Sequence, residues 1–318
     1  MLLVAASLLA ACGGGSGGGN PVPSVADGGS QSVAAPPAPE VHATSAPVSS
    51  PAPSSAPASA ASQGRPSEVL RAALLRLQDA HSVAYRSQTS GHLGPVGASS
   101  TAVTIYDADR NRYRTELTIT NPGQPAVVVT TVGDQSVVYT QMKHWIGKAQ
   151  GRWIKATRDD MLARGVDLGE SALGFPLLDV FLSAAARAQT SDENGFRYAV
   201  RVSARDVLAS PSVPGFLRSM QAAATGPASD YAVTFHFALD ADGNVARVLA
   251  NVDDLVYTFL RPTLDKQGKS SSKDVAMTYR ADLLWTNAHA DLPMPDPSLV
   301  MTRKQADAWL MPAGQQSR

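Results

Sequence analysis

The sequence predicts an α+β fold in which helices gather on one face of a large antiparallel sheet. Three observations point to it. An amphipathic helical stretch opens the ordered part, two separate runs of period-two alternation are joined by tight turns, and a helical interlude lies between those runs. Strands, then helices, then strands, in that order along one chain, fit a layered domain better than a repeating βαβ array.

The chain begins with an apolar run, Met1 to Ala11, that leads through Leu9-Ala10-Ala11 into Cys12 and then Gly13-Gly14-Gly15. The run is too short to span a hydrocarbon core of about 30 Å, which takes roughly 20 apolar residues. It reads as an export signal over residues 1–11. The small residues before Cys12 suit a signal peptidase, and the Cys12 thiol is the expected site of lipidation, with diacylglycerol and a palmitate-class acyl chain as the anchor. Two or three such chains would hold a protein on a membrane where one would not, since each buried methylene contributes about 0.8 kcal/mol. Met1-Leu2-Leu3-Val4 carries no Lys or Arg, although export signals open on positive charge, so the natural start is expected upstream. The alternative, a free thiol in a cytosolic protein, leaves the apolar run feeding into glycines unexplained.

Residues 12–65 follow as the lipidated cysteine and a tether of Gly, Ser, Pro, Ala and Val, with runs such as Ala34-Ala35-Pro36-Pro37-Ala38-Pro39. Such residues cannot bury enough apolar surface to offset the entropy of ordering. A flexible chain from Gly13 to Arg65 has a root-mean-square span of about 40 Å. Cys12 is the single cysteine, which excludes a disulfide framework and any thiolate zinc site. Lys plus Arg and Asp plus Glu are equal at 27 each, without a basic block, so nucleic acid is not an expected partner.

The domain is expected over residues 66–300. Ser67 reads as the N-cap of the first helix, with Glu68 at its positive end. Leu70, Ala73, Leu74, Leu77 and Ala80 then recur at helical spacing. The period changes to two at Ser82 to Ser87 and again at Thr101 to Tyr106, ending in the polar turn Asp107 to Asn111. Next, Arg112, Arg114, Glu116 and Thr118 alternate with Tyr113, Thr115, Leu117 and Ile119, a strand with one wet side. Asn121-Pro122-Gly123 turns the chain into Ala126 to Val132, and Gly133-Asp134 turns it into Ser136 to Gln141. Helices are expected over Arg158 to Arg164, Phe175 to Ala188 and Gly215 to Ala224, with a strand at Phe196 to Val202 between the last two. The second meander places Tyr231, Val233, Phe235, Phe237 and Leu239 on one face, turns at Asp240 to Asn244, and continues through Val245 to Val252 and Leu255 to Phe259. Asp265 to Lys273 reads as a mobile loop. The last long strand runs Val275, Met277, Tyr279, Ala281, Leu283, Trp285, and residues 301–318 form a C-terminal tail.

These features together resemble the LppX/LprG-type actinobacterial lipoproteins, which share the LolA-like half-barrel. The resemblance is carried by the amphipathic first helix, the N-terminal meander, Tyr139 followed by Trp145 and Gly151-Arg152-Trp153-Ile154-Lys155, the central helical patch, the strand ending in Asp242-Gly243, and the closing strand before Leu292-Pro293 and Pro295-Asp296-Pro297. It covers Ser67 to about Val300, and the Asp265 to Lys273 insertion and the tail lie outside it. What it implies is a half-barrel whose concave face is covered by helices and holds the acyl chains of a lipid or glycolipid during movement through the cell envelope. It also implies an extracytoplasmic, lipid-anchored protein of the cell membrane and a monomer.

A physical argument runs beside it. A bent sheet of about ten strands that does not close needs cover on its concave side, and aromatics are only 6% of the chain while Ala, Val and Leu dominate. Small aliphatic walls suit a flexible hydrocarbon better than a planar cofactor. The candidate liners are Val103, Leu117, Val129, Phe235, Phe237, Leu249, Met277 and Tyr279 on the strands, with Leu178 and Phe181 on the helix above; each taken singly also reads as ordinary core. Trp145 and Trp153 read as hairpin pins. Catalysis finds little support. His42, His81, His92, His144, His236 and His289 show no metal-ligand spacing, and no nucleophile elbow or P-loop occurs. Asp240-Ala241-Asp242-Gly243-Asn244 resembles a calcium loop but sits where a hairpin needs its turn. His236 is expected to be solvated or hydrogen-bonded, and Arg280 and Asp282 to pair on the surface. No catalytic residue, metal or cofactor is expected. The other reading is a non-enzymatic envelope sensor or adaptor with a membrane-protein partner.

Overall fold

The computed structural model describes residues 64–93, 96–134, 136–143, 149–157, 175–213, 231–257 and 275–310. Cys12, the tether, Trp145, the expected helices at 158–164 and 215–224, and the 265–273 insertion lie outside them.

Helix α1 spans Pro66–Gln78. Ser67 is not its cap. Arg65 holds that position and Pro66 is the first helical residue, where a missing N–H and a fixed φ carry no penalty. The predicted stripe is correct: Leu70, Ala73, Leu74 and Leu77 are buried, and Ala80 beyond the helix end is buried with them.

The strands are β1 Ser82–Leu93, β2 Val96–Asp107, β3 Arg112–Thr120, β4 Val127–Gly133, β5 Val137–Met142, β6 Trp153–Thr157, β7 Gln189–Thr190, β8 Tyr198–Ser203, β9 Ala232–Leu239, β10 Val245–Asn251, β11 Val275–Thr286 and β12 Val300–Thr302. Helix α2 spans Leu178–Ala184 and runs into a 3₁₀ turn at Ala185–Arg187; α3 spans Ala204–Ala209 and α4 Arg303–Leu310. Among the described residues the strands form one sheet in the order β12-β6-β5-β4-β3-β2-β1-β11-β10-β9-β8-β7. It is curved and its two ends do not pair with each other. The fold is therefore the expected α+β type with a large open sheet.

Four local expectations need correction. The sheet is mixed, because β12 pairs in parallel with β6 through Val300↔Trp153, Met301↔Ile154 and Thr302↔Lys155. The chain beyond residue 300 is thus continuous with the sheet, and Ala306 of α4 packs with Met301, Ile154 and Ala149 in a small second core. Residues 253–257 are helical, where Leu255 to Phe259 reads as a strand. The central helix begins at Leu178 and not at Phe175, because Leu177 takes a left-handed backbone (φ 57°) at its cap. The strand β7 and helix α3 were not anticipated.

Register places every strand residue on one of two faces. On the inner face, Met142, Val129, Leu117, Ala102, Ser87, Ala281, Val248, Phe237 and Tyr198 lie side by side across nine strands. The neighbouring row holds Val127, Ile119, Ser100, Thr89, Tyr279, Ala250, Phe235 and Val200. The outer face is polar, with Gln141, Thr130, Glu116, Val103, Arg86, Asp282 and Arg247 in a row. There Asp282 accepts from Arg280 and Arg247 (2.8–2.9 Å), the expected surface pairing. Helix α1 packs against α2 and over β7 and β10, and α2 over β8.

Two glycines fix close approaches. A Cβ at Gly91 would meet the carbonyl oxygen of Ala276 at 2.5 Å, and one at Gly133 would meet the carbonyl oxygen of Val137 at 2.5 Å and the Tyr113 hydroxyl at 3.1 Å. The turn at Asp240 is a hydrogen-bonded hairpin turn, as expected: the Asp240 carboxylate accepts from the backbone N–H of Asp242 (3.0 Å) and of Asn244 (2.8 Å).

Candidate functional site

The inner face divides into two unlike parts. Over β8 to β10 it is filled by aromatic rings. Phe181 of α2 meets Phe235 at 4.9 Å and Phe237 at 5.0 Å between ring centroids, both edge to face, and all three are buried with Leu70 and Leu74. Edge-to-face pairs of this kind contribute about 0.5–1.5 kcal/mol beyond area burial. Over β1 to β4 the same face carries small or aliphatic residues: Gly91, Ala98, Ala102, Ser87, Thr89 and Ser100, then Leu117, Ile119, Val127 and Val129.

Where these parts meet α1 and α2, an open cleft of about 320 Å³ is lined by Leu77, Ala80, Val83, Tyr106, Phe175, Leu178 and Leu182, with Gln78, Asp179 and Ser212 on its wall. Its apolar lining comes from four sources: the last turn of α1, the first residues of β1, the end of β2, and the exposed edge of α2. The wall is pinned by one carboxylate. Asp179 accepts from the Ser210 hydroxyl (2.8 Å) and the Ser212 hydroxyl (2.9 Å), and the Ser212 oxygen accepts from the backbone N–H of Leu177 (2.9 Å). That network holds the left-handed Leu177, a conformation costing a non-glycine residue about 1 kcal/mol or more. Burial pushes the Tyr106 hydroxyl above its ordinary pKa, and the neighbouring Asp107 charge adds to this. Tyr85 is buried, its ring 5.3 Å from that of Phe175. Asp179 is the one formally charged residue among the cleft's lining.

A second hollow, about 370 Å³, is polar. It lies among Arg76, Asp79, Asn244, Thr286 and Asn287, and Arg76 ties it by donating to Asn244 Oδ1 (3.0 Å) and to the Gly243 carbonyl.

Of the ten predicted liners, Leu178 lines the apolar cleft. Phe181, Phe235, Phe237, Met277 and Tyr279 are buried in the main core, with Leu117 also buried and Val129 packed against it. Val103 and Leu249 are not on the inner face. Val103 stands between Arg86 and Glu116, and Leu249 between Arg280 and His236, both on the outer side. A bulge between Val245 and Arg247 shifts the alternation of β10 and turns Leu249 outward. In β2 hydrophobicity itself misleads, because Val103 and Ile105 face out while Ser100, Ala102 and Thr104 face in.

Sequence reasoning missed Leu77, Ala80, Val83 and Tyr106 as cleft residues, although the helical stripe that ends at Leu77 and Ala80 points toward this spot. His236 bonds Ser191 through Nδ1 (2.8 Å) on the outer face, consistent with the hydrogen-bonded role expected for it. Trp153 sits in β6 beside Val300. Among the described residues no group of three or more His, Cys, Asp or Glu is placed to hold a metal ion.

No family model matches the chain, and no curated protein matches it. Among solved structures it is similar to LprF from Mycobacterium bovis. The identity is 13%, with 73% of this chain and 99% of LprF covered at a TM-score of 0.40. The Mycobacterium tuberculosis lipoprotein LppX is matched at 12% identity, with 71% of this chain and 97% of LppX covered and a TM-score of 0.35. LppX is a member of the group that the residue pattern resembles. The functional reading that follows rests on this chain's own residues.

Proposed function

We propose that this protein is an exported lipoprotein, anchored through Cys12, that binds the acyl part of a lipid between the inner sheet face and the helices and carries or shields it in the cell envelope. The observation that supports this most directly is the apolar cleft between α1, α2 and β1. It is concave and lined mainly by aliphatic and aromatic side chains, with Gln78, Asp179 and Ser212 on its wall. Ligand sites have this makeup, mostly apolar with a few placed polar groups. Tyr106 supplies a neutral hydroxyl at the cleft, and Asp179 makes it a poor receiver of carboxylate or phosphate, so the cleft suits an uncharged lipid.

The test is binding of a fluorescent acyl probe to the full-length protein, with mass spectrometry of lipids co-purifying from its host. Saturable probe binding is expected, together with loss of most of it in Leu182→Arg, since Leu182 is only half-buried and tolerates change. An absence of both probe binding and co-purifying lipid would remove the carrier reading. For the anchor, Cys12→Ser is expected to move the protein from the membrane pellet to the soluble fraction.

A further inference from the structure

The outer face of the sheet, on the side away from the cleft, holds the strands' charge and holds it unevenly. Among the described residues every charged strand residue faces outward. Arg86, Arg112, Arg114, Arg247 and Arg280 are gathered on β1, β3, β10 and β11, with Lys155 and Arg201 further out. The outward acids are Asp107, Glu116 and Asp282. Two of these are already engaged: Asp282 is shared by Arg280 and Arg247, and Asp107 pairs with Arg110 of the adjoining turn (3.7 Å). Arg86 and Arg114 pair with no carboxylate among the described residues. In a chain of zero net charge, this face is a positive side.

A β-bulge sets apolar side chains in the middle of that charge. Between β1 and β11, Arg86 pairs with Asp282 and Tyr85 with Leu283, but Ala84 pairs with Trp285, so Leu284 is the extra residue. Asp282 faces out, Leu283 faces in against the main core, and Leu284 faces out again, 43% exposed. The skipped position brings Trp285 outward as well, into one row with Ala84, Ile105 and Arg114. Re-aiming a side chain in this way is what a bulge does. Leu284, Trp285, Ile105 and Val103 thus make an apolar island, with Arg114 opposite Ile105 and Arg86 opposite Val103.

A tryptophan and aliphatic side chains ringed by arginines match the chemistry of a membrane interface, where indole and aliphatic groups enter the headgroup layer and guanidinium groups meet anionic phosphates. The layout of the chain agrees. A flexible tether from Gly13 to Arg65 spans about 40 Å, which keeps a domain anchored at Cys12 within reach of a bilayer.

We propose that the outer face is a docking surface for an anionic phospholipid bilayer, with Leu284 and Trp285 entering the headgroup layer and Arg86 and Arg114 contacting its phosphates. Docking of this kind is separate from lipid carriage and turns the helical side of the sheet away from the bilayer.

The test uses the full-length chain carrying Cys12→Ser, so that no acyl anchor contributes, in flotation with vesicles of phosphatidylcholine alone or of phosphatidylcholine and phosphatidylglycerol in equal parts. Partition into the anionic vesicles only is expected, falling as salt is raised. Arg86→Gln/Arg114→Gln is expected to weaken it about twenty-fold, roughly fivefold for each arginine, and Leu284→Ser about fivefold. Leu182→Gln, a neutral change in the cleft on the other side of the sheet, is expected to leave partition as it is. No partition, equal partition into both kinds of vesicle, or arginine and leucine variants that partition like the parent chain would overturn the docking surface. Loss of partition in Leu182→Gln with retention in Leu284→Ser would place vesicle lipid in the cleft and overturn it too. A dimer in sedimentation velocity that Leu284→Ser dissolves, without partition into vesicles, would give the face to a second copy of this chain and likewise overturn it. Acyl-probe binding, which tests the cleft, is untouched by any of these results.

Discussion

The two halves of the inner sheet face solve different problems. Over β8 to β10, Phe181, Phe235 and Phe237 interlock beneath α1 and α2 and leave the interior solid. Over β1 to β4 most inward side chains are small, aliphatic or hydroxyl-bearing, with Tyr85 a buried exception, and an apolar cleft lies at the Val83–Tyr106 end. The same sheet thus carries an aromatic core over one half and an aliphatic and hydroxyl-bearing face over the other.

The largest expected effect is on the solid half. Phe181→Ala removes the ring that touches both Phe235 and Phe237 and should destabilise by about 3–5 kcal/mol, read from denaturant midpoints at constant m-value. A loss under about 1 kcal/mol would mean that this half is loosely packed and that the contrast is false. Next comes the wall between the halves. Asp179→Ala removes the acceptor shared by the Ser210 and Ser212 hydroxyls, and a cost of about 1–3 kcal/mol is expected by the same measurement, together with weaker probe binding.

A smaller effect belongs to the β4–β5 turn. Burial alone would raise the Asp134 carboxyl, but hydrogen bonds from the Ser136 hydroxyl and N–H (2.7 Å each) and the Val137 N–H (2.8 Å), with the Arg112 charge, hold it below its ordinary pKa. A carboxylate with a depressed folded-state pKa stabilises above its unfolded value, near 3.9, and that stabilisation is lost as pH falls through the folded value. Asp134→Asn should therefore cost under about 1 kcal/mol at neutral pH, in keeping with its solvent exposure, and the difference from wild type should begin to shrink as pH falls past about 4 and vanish only below the folded-state value. The smallest effect sharpens the face assignment. Val103→Thr, among Arg86 and Glu116 on the outer side, should change stability by no more than about 0.5 kcal/mol, whereas an inner-face valine would cost clearly more.

How much of this could be read from the residues follows from the strength of each local pattern. The α1 stripe, the alternation of Tyr113 to Ile119 and the run Val233, Phe235, Phe237 each bury one face against solvent on the other, so their periods survive in the sequence. The parallel pairing of β12 with β6 joins segments far apart in the chain and leaves no periodic mark. The outward turn of Leu249 depends on a single extra residue in β10. The inward face of β2 was hidden for a different reason: Val103 and Ile105 face outward while Ser100, Ala102 and Thr104 face inward, so a search for apolar liners selects Val103.

The short flanking strands carry a last consequence. Among the described residues the outermost strands of the sheet are Gln189–Thr190 and Val300–Thr302, two and three residues long. Strands this short present few backbone groups of their own for an incoming chain to zip onto. With α4 packed beside β12 and β6, cutting the chain before Val300 should uncover β6 and promote self-association.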